Sequence, residues 1–308
     1  LICAQGVPFG AAMKALRSKD VKLNGKRQSK DCLCFPNDEI KVYVSLPVSD
    51  SEHGESEVAA DKNSLANNRL HAFKTIYSDE NVAVIIKPQG VSFEDFEKIV
   101  SEKYKTAEAV HRLDVNTFGL MIFALNGKAK KELDFGFKNR TFDKYYIAEV
   151  AGTPEPPKAV LTAYLEKNAE NSTVYIHEEK KTGDVKIVTE YRKIARFCEF
   201  YGGYLKKVEY AADAGQNDVS PAAIEKQSDL PETSLVEVKL VTGKTHQIRA
   251  HLAFAGMPII GDDKYGNRTL NKKMKVSRQR LCSYKLVLHF LPASPLSYLD
   301  GKTFTYFD

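Results

Sequence analysis

The chain has 308 residues, of which 43% are hydrophobic and 28% charged, the composition of an ordinary globular protein. No apolar run reaches the length of a membrane span and no signal-like segment is evident, so we expect a cytoplasmic protein without a membrane partner. The net charge of +5 at pH 7 is compatible with a polyanionic partner but does not require one. The length allows two domains.

The five cysteines are scattered along the chain and show no spacing typical of a zinc site or a disulfide framework. They are Cys3, Cys32, Cys34, Cys198 and Cys282. We therefore interpret them as small buried side chains of a reduced protein, and the cysteine pattern predicts no metal ion.

Residues 1–46 have the pattern of a small basic α/β unit. Helical periodicity is present over residues 9–17. The dipeptide Asn24-Gly25 between two short alternating segments predicts a tight β-hairpin. An alternating segment over residues 38–44 predicts a closing strand.

This pattern resembles the small RNA-binding domain named after ribosomal protein S-four. In that family the helix and the hairpin present basic side chains to RNA phosphates. The resemblance implies RNA contacts for six basic residues of the unit: Lys14, Arg17, Lys19, Lys22, Lys26 and Arg27. The alternative interpretation is a basic face that contacts only solvent.

Residues 47–70 are polar, lack aromatic side chains and show no sustained period, which predicts a flexible linker. Over residues 71–308, strands and helices follow one another without regular βαβ order, which predicts an α+β domain. The predicted strands include 81–88, 119–125, 144–150 and 235–241, and the predicted helices are 93–103 and 129–139. Polar residues near 197–233 predict an insertion.

Two motifs place charged side chains at the ends of predicted elements. The first, residues 111–119, has Asp114 two residues after Arg112 and ahead of an apolar strand. The second, residues 243–252, reads Gly-Lys-Thr-His-Gln-Ile-Arg-Ala-His-Leu at a strand-to-helix junction. Three further segments accompany them in chain order: residues 84–90, 144–148 and 261–266.

Together, these five elements resemble the RluA-type pseudouridine synthases over most of residues 76–290. The resemblance implies a catalytic domain with a mixed, largely antiparallel central sheet flanked by helices. It also implies a monomeric enzyme without cofactor or metal that isomerises uridine to pseudouridine in RNA. Synthases with this kind of N-terminal unit commonly modify large-subunit ribosomal RNA, so we expect that substrate, with transfer RNA as the alternative.

The resemblance assigns catalytic roles to three residues. Asp114 is expected to be the nucleophile, and a carboxylate suits this role because it is ionised at neutral pH without a separate base. Arg249 is expected to pair with Asp114 and keep it anionic. Tyr146 is expected to stack on the target base and to remove the proton from the recombined product. The sequence leaves open whether Asp114 attacks the sugar or the base.

Arg112 is expected to contact RNA and to fill the space left by the extruded uridine. Other polar residues of the motifs are expected to contact RNA, or to satisfy groups within the protein. They are His111, Thr117, Lys87, Lys244, Thr245, His246, Gln247 and His251.

The segment around Arg249 is predicted to form a helix. Ile248, Leu252 and Ala255 are spaced to form its core face, and Thr245 is a candidate for its N-terminal cap. Gly256, followed by a proline two residues later, predicts its end.

Phe118 departs from the family pattern, which has a small residue at this position, and we expect its ring to alter substrate fit near the nucleophile. Two other functions were weighed. One is a catalytically weak RNA-binding protein that acts in ribosome assembly on the same fold. The other is a glycoside hydrolase, which the sequence disfavours because no second acid accompanies Asp114 in the motifs.

Overall fold

The first described element is the hairpin that Asn24 and Gly25 predict. In a computed structural model of the protein, β1 (Val21–Leu23) pairs antiparallel with β2 (Lys26–Gln28). Both turn residues have positive φ angles, 50° and 76°, as a two-residue type I′ turn requires. β3 (Ile40–Val42) pairs with the other edge of β1 and completes a three-stranded sheet.

The structure describes residue 18 and residues 20–28, 39–43, 73–168, 172–195, 198–201, 204–207 and 232–308. The predicted helix over residues 9–17, with Lys14 and Arg17, lies outside the described residues, as do Lys19, the predicted linker and Cys3, Cys32 and Cys34. The chain divides into two units, Leu1–Ala72 and Phe73–Asp308, and each is described by itself.

An eleven-stranded sheet forms the centre of the second unit, in the order β10–β9–β11–β14–β8–β15–β7–β5–β4, with β16 on β15 and β6 on β7. All its pairs are antiparallel except β7 with β15. Its strands are β4 (Thr75–Ser78), β5 (Val82–Lys87), β6 (Glu108–Ala109), β7 (Phe118–Ala124), β8 (Asp143–Ala151), β9 (Lys158–Asn168), β10 (Thr173–His177), β11 (Val185–Lys193), β14 (Thr233–Leu240), β15 (Leu281–Val287) and β16 (Thr303–Thr305). A separate hairpin pairs β12 (Cys198–Tyr201) with β13 (Tyr204–Lys207).

Three of the described helices begin where a polar side chain accepts hydrogen bonds from free backbone N–H groups. α1 (Phe93–Lys103) has the predicted bounds, and the Ser92 hydroxyl accepts a hydrogen bond at its start. α2 (Gly127–Asn139) begins two residues earlier than predicted, because Asn126 caps it. The other described helices are α3 (Gln247–Phe254), α4 (Arg268–Lys273) and a 3-10 turn at Ser297–Leu299. None of them has the length and apolar character needed to cross a membrane.

The core lies on both faces of the sheet, which explains why β5 and β7 are apolar at almost every position. On one face, Phe96 of α1 and Leu252 of α3 pack on the sheet. On the other face, Leu133 of α2 packs on alternate residues of the same strands. The predicted α+β class and the mixed, largely antiparallel sheet are therefore confirmed.

Gly119 explains how β7 approaches β15 closely enough to form the parallel pair beside the Asp114 loop. Its φ angle is +114°, and a Cβ atom there would lie 2.1 Å from the carbonyl oxygen of Ser283. Only glycine satisfies both conditions. This contact fixes the start of β7, which follows directly on the loop of residues 110–117.

Candidate active site

A cleft of about 1280 Å³ opens along the loop of residues 110–117, the start of β8 and the loop between β14 and α3. Asp114, Tyr146 and Arg249, predicted as the catalytic residues, all line it. Its lining contains eight lysine and arginine residues and three aspartates. The cleft therefore has a net positive charge, which favours an anionic ligand.

Lys87 holds the loop that carries Asp114. Its side chain is fully buried, and Nζ donates to the carbonyl oxygens of Pro88, Asp114, Val115 and Thr117 at 3.1–3.2 Å. Burial lowers the pKa of Lys87 to about 8, although the charge of Asp114 opposes this shift. Lys87 was predicted to contact RNA or the protein itself, and its burial leaves only the second role.

Two glutamine side chains, Gln89 and Gln279, also hold this loop through hydrogen bonds. The Gln89 side-chain amide donates to the carbonyl oxygens of Asn116 and Gln279 at 2.8 and 2.7 Å. The Gln279 amide donates to the Thr117 hydroxyl at 2.6 Å. Thr117 is buried by these contacts, so it supports the loop instead of reaching a ligand, in contrast to its predicted RNA contact.

Arg249 contacts three aspartates of different exposure, Asp114, Asp262 and Asp263. Its Nε and Nη2 atoms donate to the two carboxylate oxygens of Asp262 at 2.6 and 3.0 Å. Nη1 is left to contact Asp114 Oδ2 at 3.2 Å. The Asp262 side chain is fully buried, whereas that of Asp114 is 24% exposed at the cleft surface. Asp262 thus fixes the guanidinium, which in turn orients Asp114.

The charges in this network favour its ionised form. Burial would lower the pKa of Arg249, but hydrogen bonds and charge from Asp262, together with Asp114, raise it above its ordinary value. Burial would likewise raise the pKa of Asp262, yet the Arg249 guanidinium and two backbone N–H groups lower it. A buried ion pair satisfied in this way remains charged.

His246 approaches the same carboxylate from the start of α3. Its Nε2 lies 3.9 Å from Asp114 Oδ2, and its Nδ1 lies 2.9 Å from the Tyr265 hydroxyl. That hydroxyl accepts the N–H of Val174, so it can donate its proton to Nδ1 and leave the Nε2–H directed towards Asp114. Burial lowers the pKa of His246, although the charge of Asp114 opposes this.

Tyr146 faces the cleft from β8 and is only 6% exposed. Burial raises the pKa of its phenol above the ordinary value, and the nearby charge of Asp114 raises it further. The phenol is therefore neutral at physiological pH.

Several predictions for the helix around Arg249 are wrong in detail. His246, not Thr245, occupies the N-cap position, and its left-handed backbone provides no side-chain hydrogen bond. Thr245 is exposed at the cleft. Ile248 and Leu252 are buried as predicted, but Ala255 is exposed because the helix already ends at Phe254.

Gln247 and His251 are buried within the protein, which removes them from direct contact with RNA. The Gln247 amide group bonds to Thr242, to Thr189 and to two backbone groups. His251 Nδ1 lies 2.9 Å from the Thr189 hydroxyl, and burial lowers the pKa of His251 to about 4. Both side chains join α3 to β11.

Arg112 and His111 are adjacent in sequence but face different surroundings. The Arg112 side chain is 68% exposed at the cleft, with Nη2 3.5 Å from Glu94. The His111 ring stacks on Phe137 at 4.6 Å, and its Nε2 accepts the N–H of Ile122. Burial lowers the pKa of His111 to about 3, so the ring is a neutral packing residue at the edge of the cleft.

The position of Phe118 argues against an effect of its ring on substrate fit. Its ring is buried against Phe200 and Tyr306, in a cluster with Ile147. Ile147 follows Tyr146 on β8, so this cluster lies on the face of the sheet away from the cleft. Phe118 is only four residues from Asp114 in the sequence, but it begins β7 with its ring on the opposite face of the sheet.

Comparison with known proteins identifies the family. The sequence model described as RNA pseudouridylate synthase matches residues 81–254, more than half of the chain. The chain belongs to this family. The matched segment includes Asp114, Tyr146 and Arg249, and the chain is an RNA pseudouridine synthase. The match begins after residues 1–46, so their resemblance to the S-four domain stays a prediction.

Curated relatives of the synthase share about a quarter of its residues. The chain is 26% identical to "Ribosomal large subunit pseudouridine synthase C" of Vibrio cholerae over 274 residues, which are 86% of this chain and 74% of the relative. It is 28% identical to the protein of the same name from Pasteurella multocida, over 88% of this chain and 74% of the relative.

Solved structures agree with the fold of the synthase. "Human RNA Pseudouridylate Synthase Domain Containing 1" superposes with a TM-score of 0.55 and 21% identity, covering 70% of this chain and 78% of that one. "Human RNA Pseudouridylate Synthase Domain Containing 4" superposes with a TM-score of 0.53 and 20% identity, covering 79% of this chain and 90% of that one.

Sequence reasoning gave no role to Asp262, Tyr265 or Lys144, which all contribute to the synthase cleft or its support. Each lies in a segment that carried the family resemblance, so a signal for them existed. Their roles depend on contacts across the fold, which the segments alone do not reveal.

Within the described part of the synthase, one group of potential metal ligands lies close together: Glu166, His177 and Asp184, with ligand atoms within 4.8 Å of one another. His177 Nε2 lies 2.8 Å from Glu166 Oε2, and Asp184 accepts the N–H of Lys181. A hydrogen bond and a turn account for these contacts, and none of the three residues lines the cleft.

Proposed function

We propose that Asp114 is the nucleophile of this RNA pseudouridine synthase and that its substrate is large-subunit ribosomal RNA. The observation that carries the first part is the contact between Asp114 Oδ2 and Arg249 Nη1 at 3.2 Å, inside a positively charged cleft. One carboxylate oxygen is paired, while the side chain stays partly exposed to a ligand.

The reaction is an isomerisation, so all atoms of uridine are retained. The bond between C1′ and N1 of the target nucleotide breaks, the base turns, C1′ bonds to C5, and the proton on C5 leaves as one returns to N1. We propose that Asp114 adds to the nucleotide to permit this exchange and is released when the new carbon–carbon bond is complete. Arg249 holds the carboxylate in position before the addition.

Tyr146 supports the turning base by packing against it. The raised pKa of its phenol argues against a phenolate base at physiological pH. The phenol oxygen can take the C5 proton only if its own proton leaves at the same time. We therefore propose stacking as its main role and treat proton transfer as conditional on a second acceptor.

The choice of RNA rests on the relatives. Those described above are named as ribosomal large subunit pseudouridine synthases, which favours ribosomal over transfer RNA. Exposed cations of the cleft, such as Arg112, Lys244 and Lys138, suit an RNA backbone. We propose that Arg112 lies closest to the space that the extruded uridine vacates. The basic hairpin residues Lys22, Lys26 and Arg27 remain proposed RNA contacts.

The test is to incubate the protein with unmodified transcripts of large-subunit ribosomal RNA and of transfer RNA, and to map pseudouridine by mass spectrometry of nuclease fragments. We expect modification at defined uridines of the ribosomal transcript and none with Asp114→Asn. Modification of transfer RNA alone would overturn the proposed substrate. Modification of either RNA by Asp114→Asn would overturn the proposed nucleophile.

The second candidate, a ribosome-assembly protein with little catalysis, predicts tight binding of the ribosomal transcript without modification. The pairing of Asp114 with Arg249 speaks against it, because RNA binding alone has no use for an aspartate in a cationic cleft. The same experiment distinguishes the two, provided that binding is measured alongside modification.

A further inference from the structure

We propose that Lys144, assisted by Arg140, forms a phosphate-binding subsite of the cleft and holds the RNA backbone beside the target nucleotide. The proposal rests on the RNA-modifying function proposed above. It adds a binding site on the wall of the cleft next to Tyr146, on residues to which the family motifs alone gave no role.

The position of Lys144 is set by β8. Lys144 and Tyr146 are two residues apart on this strand, so their side chains face the same side, and both line the cleft. The Lys144 ammonium lies 5.6 Å from the centre of the Phe137 ring. It also lies 3.5 Å from the position that a Cβ atom on Gly243 would occupy. Lys144 therefore spans the gap between β8 and the loop that precedes α3.

The charge of Lys144 is not balanced. Among the described residues, no carboxylate forms an ion pair or hydrogen bond with its ammonium. Its neighbour Asp143 instead pairs with Lys239 at 2.8 Å and lies 3.8 Å from His289. Burial lowers the pKa of Lys144 and the charge of Arg140 lowers it further, although the charge of Asp143 opposes this shift. A partly buried cation beside a second cation is unfavourable until an anion joins them.

Three other half-buried lysines of the same unit have acidic partners, and Lys302 instead lies over an aromatic ring. Of these five half-buried lysines, Lys144 is the one that lines the cleft. Lys239 pairs with Asp143, and Lys285 lies 3.4 Å from Glu237. Lys130 pairs with Asp134. The Lys144 ammonium lies in the cleft, where the substrate binds. A bound substrate could therefore supply the negative charge that the protein does not.

The chemistry of the substrate identifies that ligand. RNA carries its negative charge on phosphates, and a lysine ammonium is a compact point charge that binds phosphate oxygens from several directions. Arg140, exposed just after α2 in a left-handed conformation, places a second cation at the same wall. Two cations next to Tyr146 suit a phosphate that flanks the base packed on that ring.

The experiment measures RNA binding as a function of salt in the Asp114→Asn background, so that no turnover occurs. The probe is an unmodified transcript of large-subunit ribosomal RNA. Lys144→Met removes the charge and keeps the length, Lys144→Arg restores the charge, and Lys186→Met is the matched control on an exposed strand position outside the cleft. Thermal melting of each variant confirms that it is folded.

We expect Lys144→Met to weaken binding roughly tenfold at low salt and to reduce the slope of log affinity against log salt by about 1. Lys144→Arg should retain most of the RNA affinity and most of the salt slope, and Lys186→Met should match the parent in both quantities. An unchanged slope in Lys144→Met would overturn the proposal, even if affinity falls, because lost packing does not release counterions. The proposed catalytic function is judged separately from pseudouridine formation, so either proposal can fail without the other.

Discussion

The floor of the cleft and its wall use positive charge in opposite ways. On the floor, Lys87 and Arg249 are buried and their charged groups are already bonded within the protein. Lys87 donates to backbone carbonyls, and Arg249 donates to Asp114, Asp262 and Asp263. On the wall, Lys144 and Arg140 have no acidic partner among the described residues. The cations of the floor thus have their partners before the substrate binds, whereas we propose that those of the wall gain a partner from the substrate.

This difference separates positioning from binding. Substitutions at the floor, of Lys87 or of residues that hold Arg249, should change stability and the rate of the chemical step, because they alter the geometry around Asp114. Wall variants should change RNA affinity and its salt dependence. A floor variant that affects only affinity would break the comparison.

The largest effect is expected for Lys87→Met. The substitution leaves the carbonyl of Pro88 and three carbonyls of the Asp114 loop without their donor, which should lower the free energy of unfolding by about 3 kcal/mol. Urea denaturation measures the change. The control is Lys98→Met, whose side chain is 77% exposed and should change stability by less than about 0.5 kcal/mol. Equal or greater stability in Lys87→Met would mean that the cost of burying the ammonium exceeds its bonds.

Asp262→Asn should lower kcat roughly a hundredfold while RNA affinity changes little. The variant keeps the shape of the side chain but removes the charge that holds Arg249, so Arg249 no longer orients Asp114 accurately. Single-turnover kinetics and RNA binding separate the two quantities. Asp263→Asn is the matched control, because Asp263 also contacts Arg249, at 2.8 Å, but is 56% exposed. A similar loss of kcat in both variants would contradict the assigned role of Asp262.

Acid should destabilise the protein through His251. The folded-state pKa of about 4 lies below the ordinary value of 6.5, so the unfolded chain binds more protons between these values, and stability falls as pH drops below 6.5. At pH 5 the expected cost is about 2 kcal/mol. His251→Asn keeps a polar atom near Thr189 and does not titrate. Between pH 7 and pH 5 the variant should therefore lose about 2 kcal/mol less free energy of unfolding than the parent. Identical losses in urea titrations of the two proteins would refute this.

The smallest effect is expected for Phe118→Leu. The ring packs on the face of the sheet away from the cleft, so the substitution should cost about 1 kcal/mol of stability and leave the KM for RNA unchanged within about twofold. Kinetics at a temperature where both proteins are folded provide the test. A clear change in KM would show that the two faces of the sheet are coupled.

The parts of the fold that the sequence predicts well are those specified locally. The Asn24-Gly25 turn and the helix after Ser92 depend on side chains within a few residues. The pairing of β7 with β15 could not be predicted, since it joins distant segments through a close approach at Gly119. Gly256 correctly predicted the end of α3, because it follows the C-cap residue Ala255 with a φ angle of 77°.

In the candidate site too, residues within specific motifs were predicted, whereas contacts between distant segments were not. Asp114 and Arg249 were found because their motifs are specific, and the structure brings them together. Burial of Lys87 and Gln247 was not predictable, because the groups that enclose them come from other strands. The support from Asp262 is likewise a contact that the fold creates.

The central claim is that Asp114 reacts with the target uridine. Its most direct test is tritium release from RNA that carries 5-tritiated uridine, measured under single-turnover conditions for the parent and for Asp114→Asn at matched RNA occupancy. The account predicts release by the parent and at least a thousandfold slower release by the variant, roughly the scale seen when a nucleophile is removed. Comparable release from both proteins would contradict it.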